Sequence, residues 1–286
     1  MTRPRPRGPT LLVGVLAVVW FYPVAWTLAN AVRSTADIYR APWDVTWPPA
    51  VGNIGEAWSR AELGTALLNS TLVTAMTVGL VLVLSVSAAY ALTRLRPPAR
   101  AILFILVLAP LIVPTEVLIV PLFSMYRSLG LINSLPGLAL VNAVASVSFA
   151  TIILGAYFRT IPQDIIDAAR IDGADRLQVL LRIVVPMALP GVISVAVLVA
   201  VFTWNDFSAA LVLIQDPDAF TVQLALTRFA TFYATDQGLT FAGMAIVILP
   251  PLLLFVVLQR SLIRGLTAGA IRRPSTRLRR GVEDSG

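Results

Sequence analysis

The chain contains no cysteine, no histidine and no lysine. The first two absences remove disulfides, thiolate nucleophiles, imidazole bases and the usual zinc and haem ligands, so enzymatic chemistry would rest on carboxylates and hydroxyls alone. The third makes each of the 22 basic residues an arginine. It also excludes a phosphate loop of the G-x-x-x-x-G-K-[ST] type, so ATP hydrolysis by that route belongs to another chain. Charge of either sign is scarce: 13% of the 286 residues are charged and 57% are hydrophobic, with a mean hydropathy of +0.82. A soluble domain carries about 25% charged residues. The composition is that of an integral membrane protein.

Crossing a bilayer core of about 30 Å takes roughly 20 helical residues. Apolar runs of that order lie near 11–32, 67–91, 101–122, 137–158, 189–214 and 241–259. They predict an all-α, polytopic fold of six transmembrane helices. Seventeen arginines lie in the N-terminal tail, in 93–100, in 159–188 and from Arg260 onward, and only five in the other connections. By the positive-inside rule both termini and the 159–188 loop are cytoplasmic, so the net charge of +7 reports topology and not a nucleic-acid partner. The expected organisation is a cytoplasmic tail at 1–10, a six-helix domain at 11–263, and a basic tail at 264–286 lying near anionic lipid.

Arg3, Arg5 and Arg7 before the first apolar run resemble a cleavable signal peptide. The run exceeds the roughly 7–15 residues of such a region, and it is read as a retained helix. The outer connection 33–66 carries Trp43, Trp47 and Trp58, as expected of an ordered loop at headgroup level. Asn69 opens a glycosylation sequon but also begins a span, which counts against its use.

The long apolar pattern is interrupted at 159–190 by an ordered polar stretch. Thr160 followed by Gln163 predicts a capping box, with Pro162 in the first turn where its missing N–H is not needed. Asp164 and Asp167 suit the positive end of that helix, and Ile165, Ala168 and Ala169 share a small apolar face. Asp172-Gly173 signals a turn. A second helix follows with Leu177, Leu180, Leu181 and Val184 as its stripe, until Pro186 and Pro190 break the path. Spacing alone leaves open an ordinary solvated loop whose charges keep it off the membrane.

Asp167-Ala168-Ala169, Asp172-Gly173-Ala174, Ile183, Pro186 and Pro190 resemble the EAA loop of the inner-membrane permease subunits of binding-protein-dependent ABC importers. The run from Pro121 to Leu135, Trp204-Asn205-Asp206-Phe207, and the segment beginning Gly265-Leu266 are similar to the carbohydrate, MalG-like branch. The likeness covers about residues 10–273. It implies a type I ABC importer permease fold in a bacterial or archaeal cytoplasmic membrane. The implied partners are a second permease in a heterodimer, an ABC ATPase dimer that binds ATP and Mg, an extracytoplasmic solute-binding protein, and a sugar substrate. No cofactor is implied in this chain. The resemblance assigns ATPase coupling to Asp167, Ala168, Ala169, Asp172, Gly173 and Ala174, with Asp167 standing where the family usually has Glu. The outer connection 215–240 would reach the binding protein.

Only Glu116 and Asp206 are ionisable within the predicted spans, where such groups are costly unless they face a cavity or partner. Glu116 follows Pro110 and Pro114 and is expected to snorkel toward the outer interface from a kinked helix. Trp204, Asn205 and Asp206 are candidates for the substrate path, because a sugar offers a C–H face to a ring and hydroxyls to directional partners. The alternative is that Asn205 and Asp206 cap a local break or join helices. Two other functions compete: a permease for glycerol phosphate or another small solute, and an intramembrane enzyme using Glu116 and Asp206.

Overall fold

The structure, a computed structural model, describes residues 7–44, 47–112, 115–229 and 236–258. The 264–286 tail and the Gly265-Leu266 segment lie outside these residues. Every regular element among them is helical: α1 (Arg7–Asn30), α2 (Thr35–Arg40), α3 (Gly52–Arg60), α4 (Leu63–Arg94), α5 (Pro97–Ile112), α6 (Ile119–Ser128) and α7 (Leu135–Phe158) in the first half. The second half holds α8 (Gln163–Ile171), α9 (Arg176–Val179), α10 (Val185–Met187), α11 (Leu189–Trp204), α12 (Ser208–Leu213), α13 (Val222–Ala225) and α14 (Gln237–Val247).

The central pair is α4 and α7, with α11 packed across both. On α4 the buried residues Asn69, Val73, Thr77, Val81, Ser85 and Ala89 recur every fourth position and form one ridge. On α7 the facing positions include Ala139, Ala143, Ala150 and Leu154. Lipid tails are as apolar as these side chains, so close approach of small residues holds the pair and not water exclusion. Thr77 Oγ1 adds a bond to the Ala139 carbonyl at 3.3 Å, and Ser148 Oγ ties α7 to the Val107 carbonyl of α5 at 2.6 Å. By contrast α1 leaves its apolar window unburied and touches mainly α14. Such a helix fits lipid or a partner subunit.

Among the described residues four helices are long and apolar enough to cross a membrane: Leu12–Asn30, Leu63–Arg94, Leu135–Phe158 and Gln237–Leu258. The pair Arg176–Met187 and Leu189–Trp204 reaches span length together, with an 80° bend between its halves. The predicted run 101–122 is divided between α5, a 3₁₀ turn at Thr115–Leu118 and α6. α5 continues through Pro110 and ends at Ile112, two residues before Pro114, and proline disfavours helical backbone in the residue before it. Glu116 lies in that 3₁₀ turn, and its side chain lies outside the described set. The run 189–214 is also interrupted: α11 stops at Trp204 and a six-residue helix restarts at Ser208.

Connections between the long helices fold back onto the bundle. Asn69 Nδ2 donates to the carbonyls of Asp218 and Phe220 at 2.9 and 3.0 Å, so this buried amide is an internal tie. Asn133 Oδ1 accepts from the N–H groups of Gln215 and Asp216, and Asp236 caps α14 while accepting from Thr35 Oγ1 at 2.6 Å. In 33–66, Trp43 and Trp47 are largely exposed and Arg33 is buried among carbonyls.

Candidate functional site

The cytoplasm-assigned element, α8 through α10, is built locally. Thr160 still belongs to the end of α7, where its hydroxyl donates to the Tyr157 carbonyl at 2.7 Å. The expected Thr160–Gln163 capping box is therefore absent. Pro162 occupies the N-cap with extended ψ and no side-chain cap, because its fixed φ and missing N–H make it a natural first residue. Gln163 is used otherwise: its amide donates to Asp167 Oδ1 at 2.8 Å and its carbonyl oxygen accepts from Arg94 Nη1.

The end of α8 closes as a Schellman motif. Gly173 N–H bonds to the Arg170 carbonyl at 3.1 Å, and Ala174 N–H to the Ala169 carbonyl at 3.0 Å. Gly173 has φ of +87°, the left-handed conformation this closure requires. The capping box that does form belongs to α9, where Asp175 Oδ1 accepts from Gln178 N–H at 2.8 Å and Gln178 Oε1 from Asp175 N–H at 3.1 Å. A π-helical turn at Leu180–Val184 and the break at Ala188 then turn the chain into α11. Gly191 just beyond lies against the Tyr157 ring, which an added Cβ would meet at 2.5 Å.

This element has two faces. Ile166, Val179, Leu180 and Val184 are buried in a cluster with Tyr90, Leu154, Phe158 and Ile161, which fixes it to the ends of α4 and α7. Ala169 and Ala174 pack half-buried against that cluster, whereas Asp167, Ala168, Asp172 and Gly173 are exposed. Ile165 faces outward and Ile166 inward, so the face expected from Ile165, Ala168 and Ala169 is rotated. The expected stripe of the second helix also splits: Leu180 and Val184 are buried, while Leu177 and Leu181 are 63% and 55% exposed. Ile171, 86% exposed, joins them on the outer side. For Leu177 and Leu181 the sequence signal is their i, i+4 spacing opposite Val179, and no such pairing marks Ile171.

At the far end of α11 the three residues of Trp204-Asn205-Asp206 point to different tasks. Trp204 is buried, and its indole Nε1 donates to the Val247 carbonyl at 3.2 Å. Asn205 caps the helix and donates to the Val201 carbonyl at 2.8 Å. Asp206 Oδ1 accepts from Ala209 N–H at 3.2 Å, restarting the chain into α12, while Oδ2 accepts from Asn142 Nδ2 of α7 at 3.3 Å. Asn142 and Asp206 line a cavity of about 290 Å³ with Ser146, Phe202, Thr203 and Ser208. Thr203 Oγ1 there is buried without a partner, and Phe202 is 56% exposed. The aromatic surface of this cavity is therefore Phe202. Asn142, Ser146 and Phe202 were not foreseen, because no local pattern shows which α7 residue meets a break in α11. Among the described residues no group of histidines, cysteines or carboxylates could hold a metal ion.

Residues 81–268 match the family described as binding-protein-dependent transport system inner membrane component. The chain is 31% identical over 258 residues to the diacetylchitobiose uptake system permease protein NgcG of Streptomyces coelicolor, covering 90% of this chain and 85% of that one. It is 32% identical over 268 residues to the trehalose transport system permease protein SugB of Mycobacterium tuberculosis, covering 92% and 95%. The fold is similar to a chain of a bacterial ABC transporter involved in import of the acidic polysaccharide alginate, with a TM-score of 0.76 at 22% identity over 91% of this chain and 99% of the other. Both α8–α10 and the α11 break fall inside the matched residues.

Proposed function

This chain belongs to the family of binding-protein-dependent transport inner membrane components, and we propose that it is the permease subunit of an ATP-driven importer that carries a sugar into the cytoplasm. It is a translocation subunit and not an enzyme. The proposed six-span arrangement takes the four long helices, the bent pair and the shorter apolar helix α5 as its spans, with both termini in the cytoplasm of a bacterial or archaeal cell. Its partners are a second permease, an ABC ATPase dimer that holds ATP and Mg, and an extracytoplasmic solute-binding protein. The sugar class is supported by the names of relatives for diacetylchitobiose and trehalose.

One observation carries the coupling role: α8–α10 is fixed on one side by fully buried Ile166 and Val179, and presents exposed Asp167, Ala168, Ile171, Asp172, Gly173 and Leu177 on the other. A capped, packed element transmits a push that a loose loop would absorb. ATPase closure then moves the ends of α4 and α7, and through the 80° bend it moves α11. The helices rock as rigid bodies about a central path, as in transporters generally. Ala169 and Ala174 contribute by close packing beneath the docking face.

Along the path, Asp206 and Asn142 offer a directional acceptor and an amide beside the Phe202 ring. Asn205 lies on the exposed side of the break, and Trp204 holds α11 against α14. A phosphorylated solute would want arginine here. The cavity holds a carboxylate and no cation, which favours a neutral sugar over glycerol phosphate.

The test replaces Ile171 and Leu177 by Glu in the assembled transporter. Uptake and binding-protein-stimulated ATP hydrolysis should both disappear while the chain still inserts in the membrane. Normal ATPase co-purification with normal uptake overturns the assignment of this face.

A further inference from the structure

A cavity of about 660 Å³ separates the inner end of α4 from the turn between α8 and α9. It is large enough for a ligand of headgroup size and is lined by Arg94, Arg170 and Arg176 with no carboxylate. Arg176 makes no ion pair or hydrogen bond among the described residues, and Arg170 meets Asp167 only at 3.8 Å. Arg94 lies 5.7 Å over the Tyr90 ring, and its Nε is buried without a partner. Tyr90 lines the same cavity, is 9% exposed, and has a hydroxyl with no hydrogen-bond partner. Buried donors in native proteins are almost always satisfied, so two orphans beside three guanidinium groups point to an anion with several acceptor oxygens.

The surroundings select the carrier of that anion. Ser87 to Arg94 spans seven residues, roughly 10 Å along the α4 axis, so the cavity runs from the helix end into membrane depth. Continuing along that face, Leu80, Val83 and Leu84 are exposed. A free phosphate would use only the charged end; an amphiphile uses both. Basic pockets between helices on the cytoplasmic side suit anionic lipid headgroups.

We propose that this cavity binds the phosphate headgroup of an anionic phospholipid, with its acyl chains lying along the exposed Leu80–Val83–Leu84 stripe of α4. The sidedness rests on the topology proposed above; binding itself does not. Bound lipid would bridge α4 to the coupling element through Arg94, Arg170 and Arg176, and so stiffen the joint that takes the push.

Native mass spectrometry of the full-length chain, offered phosphatidylglycerol or phosphatidylcholine in detergent, tests this. Phosphatidylglycerol should be retained and phosphatidylcholine not. Arg94→Gln and Arg176→Gln should each lower retention about fivefold, the equivalent of ~1 kcal/mol per basic side chain at an anionic surface. Tyr90→Phe, which keeps the ring and its packing, should lower it less. Arg127→Gln, on the exposed surface of α6, should leave it unchanged. Equal retention of the two lipids, or unchanged retention in both arginine variants, overturns the proposal. Displacement of phosphatidylglycerol by millimolar inorganic phosphate also overturns it, since the site would then belong to a soluble phosphate.

Discussion

The proposed coupling element at the end of α7 and the break at the end of α11 are both polar interruptions of apolar helices, but they are made by different means. In the first, nearly every defining bond is between residues a few positions apart: the Gly173 and Ala174 closures, the Asp175–Gln178 box, the Gln163–Asp167 contact. In the second, local bonds from Asn205 to Val201 and from Ala209 to Asp206 shape the break, and bonds across the bundle, from Asn142 to Asp206 and from Trp204 to Val247, set it against the other helices. On the coupling role proposed above, the element that transmits force owes its rigidity to its own bonds, while the break takes part of its shape from the helices it meets.

Changing the local closure of the coupling element should have the largest effect. Gly173→Pro removes the bond to the Arg170 carbonyl and forbids φ of +87°, costing on the order of 2–3 kcal/mol in the turn. Uptake should vanish while membrane level stays normal by immunoblot. Nothing lies within 4 Å of a Cβ built on Gly173, so Gly173→Asn should retain most activity because Asn tolerates the left-handed region. Should Asn and Pro fail equally, contact with the partner and not backbone shape governs this position, and the contrast between the regions weakens.

At the α11 break the expected effect is intermediate and non-additive. Asp206→Ala and Asn142→Ala should each reduce uptake roughly tenfold, about 1.4 kcal/mol, with assembly intact. The double variant should be no worse than the poorer single one, as expected of side chains that share one bond. Radiolabelled sugar uptake over a range of concentrations reads this directly. Additive losses would mean that the two residues act at separate points along the path.

The same contrast explains what the sequence made legible. The Asp172-Gly173 turn, the helices on either side of it and the proline break before α11 follow from local chemistry, and each is found where it was expected. The capping box was misplaced from Asp175 to Thr160, since both sites satisfy the same residue spacing and only the end of α7 decides between them. The rotation of the α8 face was hidden for a related reason: Ile165 and Ile166 are equivalent in composition, and only the cluster beneath selects the second. Asn142 and Phe202 were invisible because nothing in their own segments marks them. Trp204 was visible as an aromatic residue, but its burial against α14 was not.

The smallest effect should come from Asp175→Ala. The substitution removes the cap of α9, worth about 1 kcal/mol in helices generally. Here Val179 and Leu180 are buried against Tyr90 and Phe158, so tertiary packing already holds the segment that the cap would otherwise organise. Uptake should stay within about twofold of the parent, and faster amide hydrogen exchange should be confined to 175–179. A large loss of transport would show that the second half of the element transmits force through its own helical order and not through its grip on α4 and α7. The coupling element would then depend on caps at both turns, and its rigidity would be local in the strict sense.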